Sequence, residues 1–403
     1  MHQTNFIVRE PLLDPKQRVI GYELSWQQSH TLETSTDAAL EALVGFVAGQ
    51  LNDADKGWLL RDKVLFLEAV PALLSTDALH AMPPQFTVLT IESRELANPD
   101  TLAAVQGLRA GGVRVALRAA DCARLSKTVL ASASYIEVGF SGADVAAQAR
   151  AYAALKQASV RMIGRPVTTW ADFDACAALG LDAFVGKLHL TPRPGNPVKG
   201  MNPAQTIILQ LMRMVQQNAD IVQLEAVLKR DAALTYKLLR FINSAGFGLG
   251  REIMSLRQAL AVLGYAPLYR WLTLLLATAS ASGYSPVLLE TAVVRGRLTE
   301  LLGLAALGKG QADNLFVAGM FSLLDRLLGI PMAQVLDTVN LSDDVQAAML
   351  TRCGLYGPYL ALAEACELNS TLVSSLAASL NISPLDVNQA HLSALAWAQN
   401  IDV

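Results

Sequence analysis

Between Thr191 and Gly200 the chain reads Thr-Pro-Arg-Pro-Gly-Asn-Pro-Val-Lys-Gly, and the hydrophobic pattern differs on its two sides. Three prolines and two glycines in ten residues interrupt helix and strand alike and mark a linker. Before it, short β-rich runs alternate with helical stretches rich in Ala and Leu. The runs are Phe6–Arg9, Val19–Leu24, Val64–Leu67, Phe86–Ile91, Val113–Leu117, Tyr135–Val138, Arg161–Ile163 and Ala183–Val185. The helical stretches include Asp37–Leu51, Asp100–Ala110, Ala143–Gln157 and Trp170–Leu179. This alternation predicts a parallel sheet of βα units, and roughly eight strands suffice to close a barrel. Asp14-Pro15-Lys16-Gln17 is a turn, so the first two strands are expected as an antiparallel hairpin.

After the linker the periodicity is helical almost to the end. Asn202-Pro203 places an N-cap before a proline at the first helical position. Ile207, Ile208, Leu211 and Val215 share one helical face, as do Leu234, Leu238, Leu239 and Ile242. Glycine and proline breaks then cut the chain into short helices joined by short loops. The expected fold class is therefore α/β plus all-α: a barrel over 1–192, a linker over 193–202 and a helical domain over 203–403.

Charge and apolar content narrow the function classes. Lys and Arg number 32 against 35 Asp and Glu, a net charge of −3, so nucleic acid is not an expected partner. The most apolar stretch, Trp271–Ala281, is broken by hydroxyls and falls short of the roughly 20 residues of a membrane span. It is expected as a core helix, with no membrane partner. Met1–Glu10 holds no apolar run of the kind a secretion signal needs. Cys122, Cys176, Cys353 and Cys366 form no CxxC and are expected as buried thiols of a cytoplasmic protein.

Two segments resemble known families. Leu224–Ala245, with Asp231-Ala-Ala-Leu-Thr235 at its centre and Asn243-Ser244-Ala245 at its end, resembles the signature of HDOD domains. Ile253–Ala259 and Leu263-Gly264 resemble the helix that follows it there. Arg9-Glu-Pro-Leu-Leu-Asp-Pro and Gly21-Tyr-Glu-Leu24 resemble the start of EAL domains, which are cyclic di-GMP phosphodiesterases on a barrel fold. The order is that of a two-domain bacterial signalling protein, with an EAL-like barrel short enough to have lost a helix.

The EAL resemblance implies a two-metal hydrolase, which needs carboxylates, an Asn and a Lys around the attacking water. Glu23 and Glu92 stand at two metal-binding positions, and Glu68 occupies that of the Asn. Other positions depart from the pattern. Gln27 replaces an Arg, Arg118-Ala119 replaces a pair of aspartates, and Glu137 replaces the Lys. Arg165 or Gly164 takes the place of a late Glu, and Val185 that of a Gln. No adjacent Asp-Asp pair occurs in residues 1–199. Glu23, Glu68 and Glu92 are therefore expected as remnants of a metal site, with no metal and no cofactor. Arg9, Arg118 and Arg165 would contact phosphates if a nucleotide binds, or else pair with these glutamates.

The HDOD resemblance implies a fold related to metal phosphohydrolases that use His and Asp ligands. The five histidines are 2, 30, 80, 189 and 391, so such a centre is not expected after the linker. Asp231 is expected to cap the helix that follows it, and Asn243 with Ser244 to tie down that helix's end. His391 is expected on the surface or in packing. The functional expectation is a signal-transduction adaptor that is not an enzyme, acts on a protein partner and can form a homodimer. The alternative is a sensor that binds cyclic di-GMP or another nucleotide without hydrolysing it.

Overall fold

A computed structural model describes residues 5–27, 37–53, 62–118, 125–139, 152–153, 155–156, 159–191, 193, 203–243, 253, 255–278, 286–338 and 341–399. Most of 143–157, most of the 193–202 segment, Cys122 and Ser244 lie outside them. Eight strands form a closed barrel: β1 Ile7–Leu13, β2 Val19–Trp26, β3 Val64–Glu68, β4 Thr87–Glu92, β5 Arg114–Arg118, β6 Tyr135–Val138, β7 Arg161–Gly164 and β8 Ala183–Val185. Every predicted strand is present, displaced by one residue at most at its start. β1 pairs antiparallel with β2 and with β8, and the other pairs are parallel. The hairpin turn is held by Asp14, whose carboxylate accepts from the Lys16 and Arg18 N–H groups.

Side chains alternate across a strand, so register decides what faces the barrel interior. Leu12, Val64, Phe66, Val88, Ala116, Tyr135, Ile163, Ala183 and Val185 fill it. Helices α1 Asp37–Leu51, α2 Asp77–His80, α3 Pro99–Ala110, α4 Lys127–Ala131 and α5 Trp170–Ala178 alternate with the strands. In α1 the buried positions are Leu40, Leu43, Val44, Val47 and Ala48, a stripe at helical spacing.

The rest is helical: α6 Pro203–Gln216, α7 Ile221–Leu228, α8 Ala232–Ile242, α9 Leu256–Leu263, α10 Tyr265–Thr278, α11 Pro286–Leu307, α12 Lys309–Phe321, α13 Leu324–Leu328, α14 Met332–Thr338, α15 Asp343–Thr351, α16 Gly357–Leu368, α17 Val373–Ser379 and α18 Pro384–Gln399. The apolar stretch lies in α10 from Trp271 as far as Thr278, and Leu272, Leu274, Leu275 and Leu276 are buried there. Among the described residues no single helix is long and apolar enough to cross a membrane, and α9 and α10 meet at a bend of 110°. Backbone runs close to backbone where α11 passes α12. A Cβ on Gly319 would stand 2.8 Å from the Gly296 Cα, so only hydrogen fits.

The chain divides into two compact units, residues 1–195 with 364–399, and residues 196–363 with 400–403. The first division falls in the proline and glycine segment and the second inside α16. The end of α16, α17 and α18 thus belong with the barrel. Cys176 and Cys366 are buried thiols as expected, but Cys353 is exposed. It follows Arg352, which ends α15 in a left-handed conformation, and this turn carries the side chain outward.

Candidate functional site: the barrel mouth

At the C-terminal ends of the parallel strands the interior changes from apolar to charged by simple alternation. Phe66 is followed two residues on by Glu68, Val88 by Thr90 and Glu92, Ala116 by Arg118, Tyr135 by Glu137 and Ile163 by Arg165. β1 runs the other way, so Glu10 lies two residues before Leu12, and Glu10 pairs in register with Glu23 of β2. Period two therefore delivers five carboxylates and two guanidiniums to one end of the barrel.

Arg118 is the hub. Its Nε donates to Glu137 Oε2 at 2.8 Å. Its terminal nitrogens lie 3.7 Å from Glu68, 3.8 Å from Glu23 and 3.9 Å from Glu92. Burial disfavours its charge, but Glu137, Glu68 and Glu92 outweigh that and raise its pKa above the usual arginine value. Arg165 donates to Glu23 in a short contact and lies 3.5 Å from Glu10 and 4.0 Å from Glu137. Burial outweighs the attraction of Glu10 and lowers its pKa, and as an arginine it remains charged.

Glu23, Glu68 and Glu92 thus come together, as the sequence implied, along with Arg118 and Arg165. Arg9 does not join them. It has the opposite parity to Glu10, is 5% exposed, and its Nη1 meets His391 Nε2 at 2.6 Å. Glu10 is a member that sequence reasoning missed, and Glu137, noted only as the replacement of a Lys, was not counted in the site. Glu137 stands two residues beyond Tyr135, but Leu12 and Leu13 are both buried, so alternation alone does not choose the side on which Glu10 lies. His391 is fully buried, which removes the surface alternative.

The mouth does not fit the two metals that an EAL resemblance implies. Four of its carboxylates are gathered on the Arg118 guanidinium, and among the described residues no group of three acidic, His or Cys side chains is placed to hold one ion.

In the helical unit, Asp231 caps α8 by accepting from the Ala233 and Leu234 N–H groups at 2.9 and 3.1 Å. Asn243 ends the helix and clamps Ile253, ten residues on. Its Nδ2 donates to the Ile253 carbonyl and its Oδ1 accepts from the Ile253 N–H, both at 2.8 Å. Arg270 meets Glu300 through two bonds of 2.8 Å and lies 4.0 Å above the Phe316 ring. That half-buried pair had no sequence signal.

Residues 201–334 match the HDOD domain family. The chain is 26% identical over 405 residues to the "Cyclic di-GMP phosphodiesterase CdgJ" of Vibrio cholerae, covering 99% of this chain and 93% of that protein. It is 23% identical to the "Uncharacterized protein YuxH" of Bacillus subtilis, covering 98% of each. Among solved structures, the EAL domain of Mycobacterium smegmatis DcpA superposes with a TM-score of 0.38 at 16% identity, over 45% of this chain and 90% of that one. Klebsiella pneumoniae BlrP1 gives 0.38 at 15% identity, over 46% and 55%. The Vibrio relative overturns the expectation that this chain is not an enzyme. That expectation rested on side chains absent from the motif, whereas a protein matched along 99% of the chain is named for the activity. An eight-stranded barrel whose first strand is antiparallel, an HDOD domain after it, and this end-to-end relative give the chain an EAL–HDOD architecture.

Proposed function

We propose that this chain is a cyclic di-GMP signalling protein that transmits its signal by contact with a protein partner, as an adaptor. The name of the Vibrio relative and the HDOD match support the signalling role. One observation carries the adaptor role: the two guanidiniums of the mouth are already engaged by the chain's own carboxylates. Carboxylates outnumber cations there, so the mouth by itself repels a dinucleotide's phosphates. Output is then left to the surfaces of the two units. A second reading, a sensor that binds the dinucleotide, is favoured by the Arg118 side chain, which is 31% exposed and within reach of a phosphate.

The test is calorimetric titration of the full chain with cyclic di-GMP, with and without Mg²⁺ or Mn²⁺, together with chromatography of the mixture. The adaptor role expects no heat at high micromolar ligand. A micromolar site that returns the dinucleotide intact supports the sensor. A linear product overturns the adaptor and gives this chain the activity for which its Vibrio relative is named.

A further inference from the structure

The barrel unit is built from both ends of the chain, since residues 364–399 belong with residues 1–195. Their attachment is specific. Asn388 of α18 is 2% exposed. Its Oδ1 accepts from the Ile7 N–H at 2.7 Å, and its Nδ2 donates to the Asn5 carbonyl at 2.9 Å. Residues 5 and 7 are two apart on one strand edge, and a neighbouring strand would offer them the same donor and acceptor. One side-chain amide therefore replaces a strand at the start of β1.

One helical turn further on, His391 meets Arg9 at 2.6 Å with both side chains buried. Positions 388 and 391 share a helical face, and positions 7 and 9 share a side of the strand, so the two contacts form one repeat. A guanidinium has no lone pair to offer, so it donates and His391 Nε2 accepts. His391 is then neutral with its proton on Nδ1. Gln27, just after β2, adds a third link by donating to the Ser370 carbonyl.

We propose that residues 364–399 are a clasp on the first barrel strand and that it sets the charge of the mouth. Arg9 and Glu10 are adjacent and so point to opposite sides of the strand. With Arg9 held outside by His391, Glu10 is inside, opposite Glu23 and beside Arg165. A slip of one residue would exchange them and bring a cation in where a carboxylate stands. Asn388 and His391 are positioning residues that forbid that slip.

Hydrogen exchange on the full chain tests the clasp, with Asn388→Ala, Asn388→Asp and His391→Asn compared with the parent. In Asn388→Ala, protection over residues 7–13 should fall about tenfold while residues 87–92 of β4 keep theirs. Asn388→Asp retains the acceptor for Ile7 but sets a second acceptor against the Asn5 carbonyl at a buried site, so its loss should centre on the same residues, and His391→Asn serves if neither Asn388 variant folds. In His391→Asn the loss should again centre on β1. Unchanged protection of β1 in Asn388→Ala overturns the clasp. So does a loss spread evenly over all eight strands in any of the three.

Discussion

Arg9 and His391 are 382 positions apart in the sequence and 2.6 Å apart in the structure, both buried. Burial, reinforced by the adjacent guanidinium, holds the imidazole well below the usual histidine range, so it is neutral in the folded chain. Cys366, close enough to feel Arg9, has its thiol pushed up to about 12 by burial and is neutral too.

This pair makes stability depend on mild acid. An unfolded histidine takes up a proton below about pH 6.5, while the folded His391 does not. The unfolded state then binds more protons, so stability is full above pH 7 and falls as pH drops. The loss approaches about 1.4 kcal/mol per pH unit well below pH 6.5. Urea unfolding at pH 7.5, 6.5 and 5.5 should show this decline, and His391→Gln, which keeps an acceptor for Arg9, should flatten it. Equal slopes in the two proteins would exclude His391 as the cause.

Arg118 should be the most costly side chain of the mouth to remove. Arg118→Met leaves Glu137, whose side chain is 8% exposed, without its closest cation. Because Arg118 is itself partly exposed, the expected loss at pH 7 is about 2 kcal/mol. It should shrink at high salt, which screens the repulsion among the stranded carboxylates. A salt-independent loss would mean that lost packing, not charge, is responsible.

The two ends of α8 should differ in cost. Asp231→Ala removes a half-buried cap and should lower stability by about 1 kcal/mol. Asn243→Ala strands both the N–H and the C=O of Ile253, which is buried, and should lose about 2–3 kcal/mol. Chemical denaturation of both variants decides it, and equal costs would deny the clamp its role.

Glycine substitutions separate packing from propensity. A Cβ at Gly319 would stand 2.7 Å from Thr299 Oγ1 and 2.9 Å from the Arg295 carbonyl. Gly319→Ala should therefore cost about 1–3 kcal/mol. Gly107 sits within α3 with nothing within 4 Å of an added Cβ. Gly107→Ala should instead stabilise by about 0.5–1 kcal/mol. Thermal melts of the two should move in opposite directions.

The eight strands and the antiparallel opening hairpin were legible because β-branched runs and turn residues act over a few positions. Glu23, Glu68, Glu92, Arg118 and Arg165 were legible as members of one site through family resemblance. Glu137 was legible in principle, as the residue two beyond Tyr135 in β6. What the motif's missing residues did not decide was activity, where the name of a relative counts against the expectation drawn from them.

The side of the strand on which Arg9 lies could not be read locally, because either parity leaves a plausible β1. It is decided by a histidine from the far end of the chain, through burial and a hydrogen bond that exist only after folding. In the same way Asn388 reads in the sequence as an ordinary helix residue, and only the barrel edge beside it makes its amide a strand partner. The periodicities, and with them the strands, the helices and the charged ends of the barrel, follow from local pattern. Which carboxylates share Arg118 and which helices close the barrel follows only from the folded arrangement. Those choices depend on desolvation and on pairing between groups that no local pattern brings together.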